Sequence, residues 1–481
     1  MNASRVLILW IAFFVLCPVL NISGHFIYPP ELFIYSLFFW KLFFSNNSGD
    51  KQEDFNNHAT QSNGVLTAHI IYILLFSVTA MLTAYMAGQS VNNYDFYIFR
   101  NILQVIICIK LFDEKLKQLI VDSKFELTIF VLLIILAVPA FIVYLQLLNI
   151  FSMRDLVIDL YKPQFFFLDA KSFATYRYTS VFKDFFTSAI YYTILASFVF
   201  YFILKTKLNS AYRISLVVLL VIIYGAQLFV ARTSLVMIPL AIGAVAIISS
   251  RLNMRTIIGR LVPIALLVSI LGFIGIQQII ESGLVNQRWA MGALAFVDDA
   301  SRSKVSSFTA MQEWNENFLK YINQNEQSLT KPSHNYDLTE SKNPGIYTDS
   351  FYGQELYRYG IYGAISYLVF VFLFIMAGWK QSRYLFVLAV MLFITNIKGG
   401  NTFFMPKNIY LYALILSVVR YTEHMTSTIN KKIISTESKT PFETFSRDSV
   451  LVARCANISL LQSKQSVGST VLQKSNLKKS Q

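Results

Sequence analysis

The sequence predicts an all-α polytopic membrane protein with about twelve transmembrane helices, in a range of about ten to thirteen, and one large loop outside the bilayer. Three observations predict this fold class. Hydrophobic residues make up 55% of the 481 residues and charged residues only 14%, whereas soluble domains are about 25% charged. The apolar residues form runs of the roughly 17 to 25 residues that cross a bilayer. The basic residues cluster at the ends of these runs, as orientation signals do.

The apolar runs divide a membrane domain, residues 1–421, into twelve predicted spans. They lie near 6–22, 27–44, 66–88, 95–112, 126–150, 185–204, 214–230, 234–250, 257–279, 361–378, 384–398 and 404–421. We interpret the first run as a span rather than a signal peptide, because it lacks a small-x-small cleavage site and another hydrophobic segment follows directly. The fourth run contains Arg100 and Lys110, and the eleventh is short for a span.

Short basic connections predict the orientation of the spans. Residues 205–213, 251–255 and 380–383 each carry lysine or arginine, and in the twelve-span order all three fall on one side. Because such connections stay in the cytoplasm, we expect both termini there. The segment 422–481 is rich in Ser, Thr, Lys and Gln, which predicts a disordered cytoplasmic tail.

Two sizeable connections then face outward, residues 151–184 and residues 280–360. The second spans about eighty residues, far more than an ordinary connection of about four to six. It ends in a segment of acids, hydroxyl groups and an arginine, followed by a predicted span that opens on Gly360 and Gly363. This glycine pair predicts close helix packing. The long loop therefore predicts that this end of the protein acts on a ligand outside the bilayer.

Five basic residues fall on the outward side: Arg177, Arg232, Arg288, Arg358 and Lys398. Guanidinium groups bind diphosphate bidentately and stay charged, so converging arginines suit an anionic lipid carrier. The alternative is that each side chain reaches headgroup phosphate or pairs with a loop acid. For Lys398, the alternatives are a packing turn or an interfacial anchor. Arg232 lies in the tight turn Ala231-Arg232-Thr233, which is too short for a generic anchor, so there we favour ligand binding.

Asp349, Glu355 and His334 are the candidate proton acceptors of the long loop. Each could accept the proton of a sugar hydroxyl. If the segment is helical, Asp349 and Glu355 lie on different faces, so no paired-carboxylate site is implied. The alternatives are that Glu355 forms an i,i+3 ion pair with Arg358 and that His334 is a plain surface residue.

Several chemistries lack a signal in the sequence. There is no P-loop, Ser-His-Asp pattern, histidine-metal cluster or dinucleotide fingerprint, and we predict neither a metal nor a cofactor. Asp298-Asp299 resembles a metal motif only loosely and is interpreted as a pair of solvated acids, and Cys17, Cys108 and Cys455 have no ligand spacing. The net charge of +14 does not indicate nucleic acid, because the basic residues flank apolar runs.

The chain resembles the O-antigen polymerase family, within the polymerases and ligases of bacterial surface polysaccharide assembly. The resemblance rests on the hydropathy plan and three short motifs. The first motif is Arg177-Tyr178-Thr179-Ser180-Val181-Phe182 before a span, and the second is Ala231-Arg232-Thr233-Ser234 in a tight turn. The third is Asp349-Ser350, then Glu355, then Gly360-Ile361-Tyr362-Gly363 before a span.

The resemblance implies a GT-C-like, metal-independent membrane glycosyltransferase at the periplasmic face of the bacterial inner membrane. A repeat unit on undecaprenyl diphosphate would attack the anomeric carbon of a growing chain on the same carrier. Implied partners are the bilayer, a chain-length regulator and the flippase of the same pathway. The ligase branch places histidine before the Asn/Ser of the third motif, where this chain has Thr348, which favours a polymerase. A ligase, a flippase for lipid-linked oligosaccharide and a structural subunit remain alternatives.

Overall fold

The structure is a computed structural model, and it describes residues 2–18, 20–22, 25–44, 64–121, 124–161, 180–182, 185–206, 209–227, 229–230, 232–250, 316–317, 320, 332, 351–396 and 405–437. The described residues are mostly helical. Their helices are α1 Ala3–Leu16, α2 Pro29–Phe44, α3 Gly64–Met86, α4 Asn93–Val121, α5 Phe125–Leu136, α6 Val138–Leu147, α7 Met153–Tyr161, α8 Phe185–Lys205, α9 Ser210–Gln227, α10 Arg232–Ser250, α11 Phe351–Gln381, α12 Arg383–Thr395 and α13 Pro406–Glu437.

One small sheet accompanies these helices. Strands β1 Leu20–Ile22 and β2 His25–Ile27 pair antiparallel between α1 and α2, and Asn21 lies opposite Phe26. The chain divides into two units, Met1–Glu423 and His424–Gln481. In the second unit the structure describes only the helical backbone that ends at Glu437. All side-chain contacts below belong to the first unit.

Five helical stretches in the described part of the chain are long and apolar enough to cross a membrane. They are Gly64–Met86, Phe125–Leu147, Thr187–Lys205, Ser210–Gln227 and Phe351–Gln381, and Ala3–Leu16, Met237–Ile248 and Arg383–Thr395 are shorter apolar helices. The prediction of a mainly helical membrane protein is confirmed in this form. Helices occur at every predicted span except 257–279, which lies outside the described residues; the number of spans stays a prediction.

Proline breaks the predicted span 126–150 into two helices. Pro139 is the second residue of α6 and lies two residues after the junction residue Ala137. A proline ring has no N–H to donate and crowds the preceding turn, so a helix bends at this point. The Ala140 N–H donates instead to the Ala137 carbonyl at 2.9 Å.

Helices α8 and α13 form the core of the bundle. Each hydrophobic residue from Ile409 to Val419 is buried, as are Ala189 and most apolar residues that follow it on α8. A helix that is apolar on all sides belongs in an interior. Helices α3, α9 and α11 instead expose large apolar side chains on one face, including Val78, Val218 and Phe372, as lipid-facing helices do.

Ion pairs join the helices at the end that carries the basic connections. Glu423 lies 3.4 Å from the Lys205 ammonium and accepts hydrogen bonds from Tyr201 and Ser382 at 3.0 and 3.1 Å. Arg420 pairs with Asp113 at 2.8 Å. These pairs join the last turns of α4 and α8 to the middle of α13, at the end predicted to be cytoplasmic.

Several helix boundaries differ from the sequence-based prediction. Helix α1 ends at Leu16, so that strand β1 occupies the end of the predicted span 6–22, and α4 continues beyond the predicted span 95–112 to Val121. Helix α11 begins at Phe351, inside the predicted loop 280–360, and α13 continues beyond the predicted span 404–421 to Glu437. The Phe351 N–H donates to the Asn396 carbonyl at the end of α12, at 3.1 Å. This bond satisfies one of the N–H groups that a helix start leaves without an intrahelical partner. The polar residues after Phe351 therefore continue as helix.

Candidate functional site

Five side chains meet where helices α4 and α11 begin, and we name them the α4–α11 polar cluster. They are Tyr94 and Asp95 on α4, and Glu355, Arg358 and Tyr359 on α11. Glu355 is only 2% exposed and Arg358 only 6%, and Asp95 and Tyr359 are also buried. Ionisable groups buried in a membrane protein are costly, and they mark functional sites by default.

Arg358 lies between a carboxylate and an aromatic ring. Its Nη1 is 3.9 Å from Glu355 Oε1, and its Cζ is 4.1 Å from the centre of the Tyr94 ring. The ion pair is longer than a closed charge-assisted hydrogen bond of about 2.7–2.9 Å. The ring face stabilises the guanidinium, since its quadrupole is negative there.

The neighbouring residues form a second link between the same two helices. The Tyr359 hydroxyl donates a hydrogen bond to Asp95 Oδ1 at 2.6 Å. Two consecutive residues of α4, Tyr94 and Asp95, therefore contact two consecutive residues of α11, Arg358 and Tyr359.

Local capping positions the α4 half of the cluster. Asp95 Oδ2 accepts a hydrogen bond from the Asn92 N–H at 2.8 Å, and Asn92 Oδ1 accepts one from the Tyr94 N–H at 3.3 Å. Together these bonds satisfy two donors at the start of the helix. An acid in the first turn also interacts favourably with the positive end of the helix dipole. Asp95 therefore both caps the start of α4 and orients the Tyr359 side chain.

Two glycines position the α11 half. Gly360 has φ 64° and ψ −157°, a backbone conformation open almost only to glycine, and it interrupts the helix directly after Tyr359. A Cβ on Gly363 would lie 2.6 Å from the Tyr359 Cβ and 3.2 Å from the Glu355 carbonyl oxygen. The sequence predicted that this pair permits close packing between helices. In the structure it bends α11 and makes room for Tyr359 within the same helix.

Further cations lie at the same end of the bundle. Arg100 of α4 pairs with Glu31 of α2 at 3.5 Å. Lys407, in the first turn of α13, is buried with its Nζ 5.9 Å from the centre of the Phe182 ring. The Tyr97 hydroxyl donates to Met405 Sδ at 3.2 Å and so links α4 to the start of α13. Basic side chains and the starts of several helices thus share one end of the protein.

The structure brings together two of the predicted site residues, Glu355 and Arg358. Their i,i+3 ion pair, an alternative left open by the sequence, is present. Arg232 begins α10, but the structure does not describe its side chain. The other five predicted residues lie outside the described residues: Arg177, Arg288, His334, Asp349 and Lys398. Their roles stay predictions.

Sequence reasoning missed Tyr359, which lies in the segment that it singled out, and three further residues of this end: Tyr94, Asp95 and Lys407. A partial signal existed for each of these three. Tyr94 and Asp95 lie at the boundary of the predicted span 95–112, where a polar residue usually faces water. Lys407 is a lone cation at the edge of an apolar run, and such a residue usually reaches the interface. Neither pattern predicts burial, because burial depends on which helices pack around the residue.

Among the residues that the structure describes, no group of three or more His, Cys, Asp or Glu side chains could hold a metal ion. The α4–α11 polar cluster offers two carboxylates, one guanidinium and two phenol groups. Such a set can accept a proton and bind an anion. The prediction of metal-independent chemistry stays a prediction.

Together, the fold and the cluster define a helical membrane protein with a buried acid–arginine–tyrosine cluster at one end. The chain matches no protein-family model and no curated protein. The resemblance to the O-antigen polymerase family therefore stays a prediction from the motifs and the hydropathy plan.

Proposed function

We propose that the chain is a GT-C-like membrane glycosyltransferase that joins repeat units carried on undecaprenyl diphosphate. It would act as a polymerase of O-antigen or a related surface polysaccharide at the periplasmic face of the bacterial inner membrane. One observation carries the proposal. Arg358 and Glu355 are buried together at the start of α11, in the segment that resembles the third motif of that family.

The proposed reaction needs a cation for the departing diphosphate. Arg358 can serve here, because a guanidinium group binds phosphate oxygens in a planar, bidentate way. Arg177, Arg232, Arg288 and Lys398 would add cations to the same site.

The acceptor hydroxyl must also lose a proton as it attacks the anomeric carbon. Glu355 is the described candidate for the group that receives it, with Asp349 and His334 as the other candidates. The acceptor oxygen forms the new glycosidic bond, and the bond to the lipid diphosphate breaks. In this arrangement the Glu355 carboxylate would receive the proton, and the Arg358 guanidinium beside it would bind the departing diphosphate.

The distribution of charge supports the proposed orientation. The basic connections 205–213 and 380–383 lie at the end where Glu423 and Lys205 pair, whereas the cluster lies where α4 and α11 begin. Positively charged short loops stay cytoplasmic. The cluster then belongs to the periplasmic end, where the polymerisation would occur.

The test is the lipopolysaccharide banding pattern of a strain that lacks the gene, together with its pool of undecaprenyl-linked glycan. Loss of polymerase leaves core capped with a single repeat and no ladder. Complementation with Arg358→Met or Glu355→Gln should fail to restore the ladder, whereas Arg383→Met, which removes a cation at the opposite end, should restore it. Expression of each variant is checked by immunoblotting. An unchanged ladder in the deletion strain would refute the proposal.

A flippase for the same lipid-linked oligosaccharide is the second candidate. Asn101 and Gln104 are buried polar side chains inside α4, and Gln227 is a buried polar side chain at the end of α9. A polar interior suits the passage of a hydrated headgroup. For a flippase, the deletion strain would show uncapped core with single repeats held on the cytoplasmic side. Uncapped core with long glycan on the carrier would indicate a ligase.

A further inference from the structure

A short helix follows directly on the apolar stretch formed by α5 and α6. The connection turns sharply, since Asn149, Phe151 and Ser152 have φ values of 48°, 53° and 51°. The left-handed region is uncommon for residues other than glycine. The chain is thereby redirected at the end of α6, and α7 begins at Met153.

Arg154 ties α7 to the end of α6. Its Nε donates to the Gln146 carbonyl at 2.7 Å, and its Nη2 donates to the Leu147 carbonyl at 2.8 Å. The last carbonyls of a helix have no intrahelical partner and form the negative end of its dipole. An arginine therefore stabilises this end, and α7 is held at the level where the apolar stretch stops.

The helix α7 has three different sides. At about 100° per residue, Val157 points to one side and is 3% exposed, which places it against the protein. Leu156 and Leu160 share a second side and are 46% and 48% exposed. Asp155 and Asp159 share a third side and are exposed. The exposed leucine side and the exposed acidic side of α7 thus face different directions.

We propose that α7 and the turn before it lie in the interface of the bilayer, with the leucine side in the boundary between headgroups and acyl chains. Phe151, which is 88% exposed in the turn, enters the same layer. The nine residues of α7 are too few to span a membrane. An exposed leucine side that continues directly from an apolar stretch is what interfacial insertion requires.

The acidic side decides how the helix binds. Interfacial helices that depend on anionic lipids carry lysine and arginine on the polar face. Here Asp155 and Asp159 occupy that face, so binding comes from buried apolar area. The association therefore requires neither anionic lipid nor low salt.

The placement of α7 does not depend on the proposed function. It does indicate at which depth relative to the bilayer the candidate site lies. Gln146 Oε1 accepts a hydrogen bond from the Ser180 N–H at 3.0 Å, and the nearby Phe182 ring lies close to Lys407 at the start of α13. The helix α7 is thus at the end of the bundle that holds the α4–α11 polar cluster. A lipid-borne ligand would approach this end along the interface that α7 marks.

Spin labels on single cysteines test the proposal in the full chain reconstituted in lipid nanodiscs. Cys17, Cys108 and Cys455 are first replaced by serine. Labels then go to Leu156→Cys, Leu160→Cys and Phe151→Cys, and, as matched neighbours, to Asp155→Cys and Asp159→Cys. Collision with oxygen, which concentrates in acyl chains, is compared with collision with a water-soluble nickel chelate. A label at Val218→Cys on the exposed face of α9 serves as the membrane reference.

We expect the oxygen-to-nickel accessibility ratio to be several-fold higher at 151, 156 and 160 than at 155 and 159. The same pattern should appear in neutral and in anionic lipid. Equal nickel access at all five positions would place α7 in water and overturn the proposal. If neither reagent reached the labels at 156 and 160, the leucine side of α7 would be covered by protein, and this result would also overturn the proposal. A pattern present only in anionic lipid would refute binding by apolar area. Only variants that elute as a single species in size-exclusion chromatography and keep the melting temperature of the unlabelled protein are used.

Discussion

Replacing Tyr359 by phenylalanine removes a single hydroxyl group from the α4–α11 polar cluster. This hydroxyl donates to Asp95 Oδ1 at 2.6 Å between two buried side chains. The ring and its packing against Phe76, at 5.5 Å between ring centres, remain in the variant. The change therefore isolates the hydrogen bond that joins α4 to α11.

The magnitude follows from the geometry. A hydroxyl that donates to a carboxylate at about 2.5–2.7 Å is in the short, strong class, and hydrogen bonds to charged groups contribute about 1.5–3 kcal/mol in soluble proteins. Between membrane helices the average is only about 0.6 kcal/mol and the maximum about 1.7 kcal/mol, because the unfolded chain in the membrane also finds partners. The burial of both groups places this bond near the membrane maximum, at about 1–1.7 kcal/mol.

A double-mutant cycle measures this coupling directly. The free energy of unfolding is determined for the native protein, Tyr359→Phe, Asp95→Ala and the double variant by reversible unfolding in mixed SDS and bicelles. The cycle cancels the loss of the Asn92 contact that Asp95→Ala also causes. Tyr352→Phe is the control, because its hydroxyl donates to the neutral Phe393 carbonyl at 2.8 Å in an exposed position.

We expect Tyr359→Phe to destabilise more than Tyr352→Phe and to couple with Asp95→Ala by about 1 kcal/mol or more. A coupling energy within the additivity scatter of about 0.3 kcal/mol would refute the reasoning. It would mean that this hydrogen bond does not hold the two helices together and that Asp95 does not position Tyr359.

Three further predictions concern stability and use the same unfolding assay. Gly360→Ala should lower the free energy of unfolding by about 1–3 kcal/mol, because the backbone conformation of Gly360 is strained for any residue with a side chain. Gly243→Ala is the control: a Cβ there would have no atom within 4 Å, so the change should be neutral or stabilising by up to about 1 kcal/mol. Equal effects of the two changes would contradict backbone strain at Gly360. Gly378→Ala should destabilise by about 1–3 kcal/mol, since its Cβ would lie 2.9 Å from the backbone of α12, which cannot give way as a side chain can. Glu423→Gln should cost at most about 1 kcal/mol, because its pair with Lys205 is partly exposed and screened; raising the salt concentration should shrink the difference, and a salt-independent loss would argue against an ion pair.

The class of protein and the position of most helices follow from the amino-acid sequence. Apolar runs of sufficient length produce helices in a bilayer whatever surrounds them, since backbone groups there must be satisfied within the segment. The spacing of Glu355 and Arg358 likewise allowed their ion pair as one alternative, because residues three apart on a helix are neighbours. Such properties are local.

The contacts of Tyr94 and Asp95 with Arg358 and Tyr359 depend on how the helices pack in three dimensions. Asp95 and Tyr359 are 264 residues apart, and no pattern in either segment indicates the other. Lipid is as apolar as leucine, so hydrophobicity does not select helix partners in a membrane; close packing and polar contacts between particular surfaces do. The site depends on which helix starts come together, and only the folded chain contains that information.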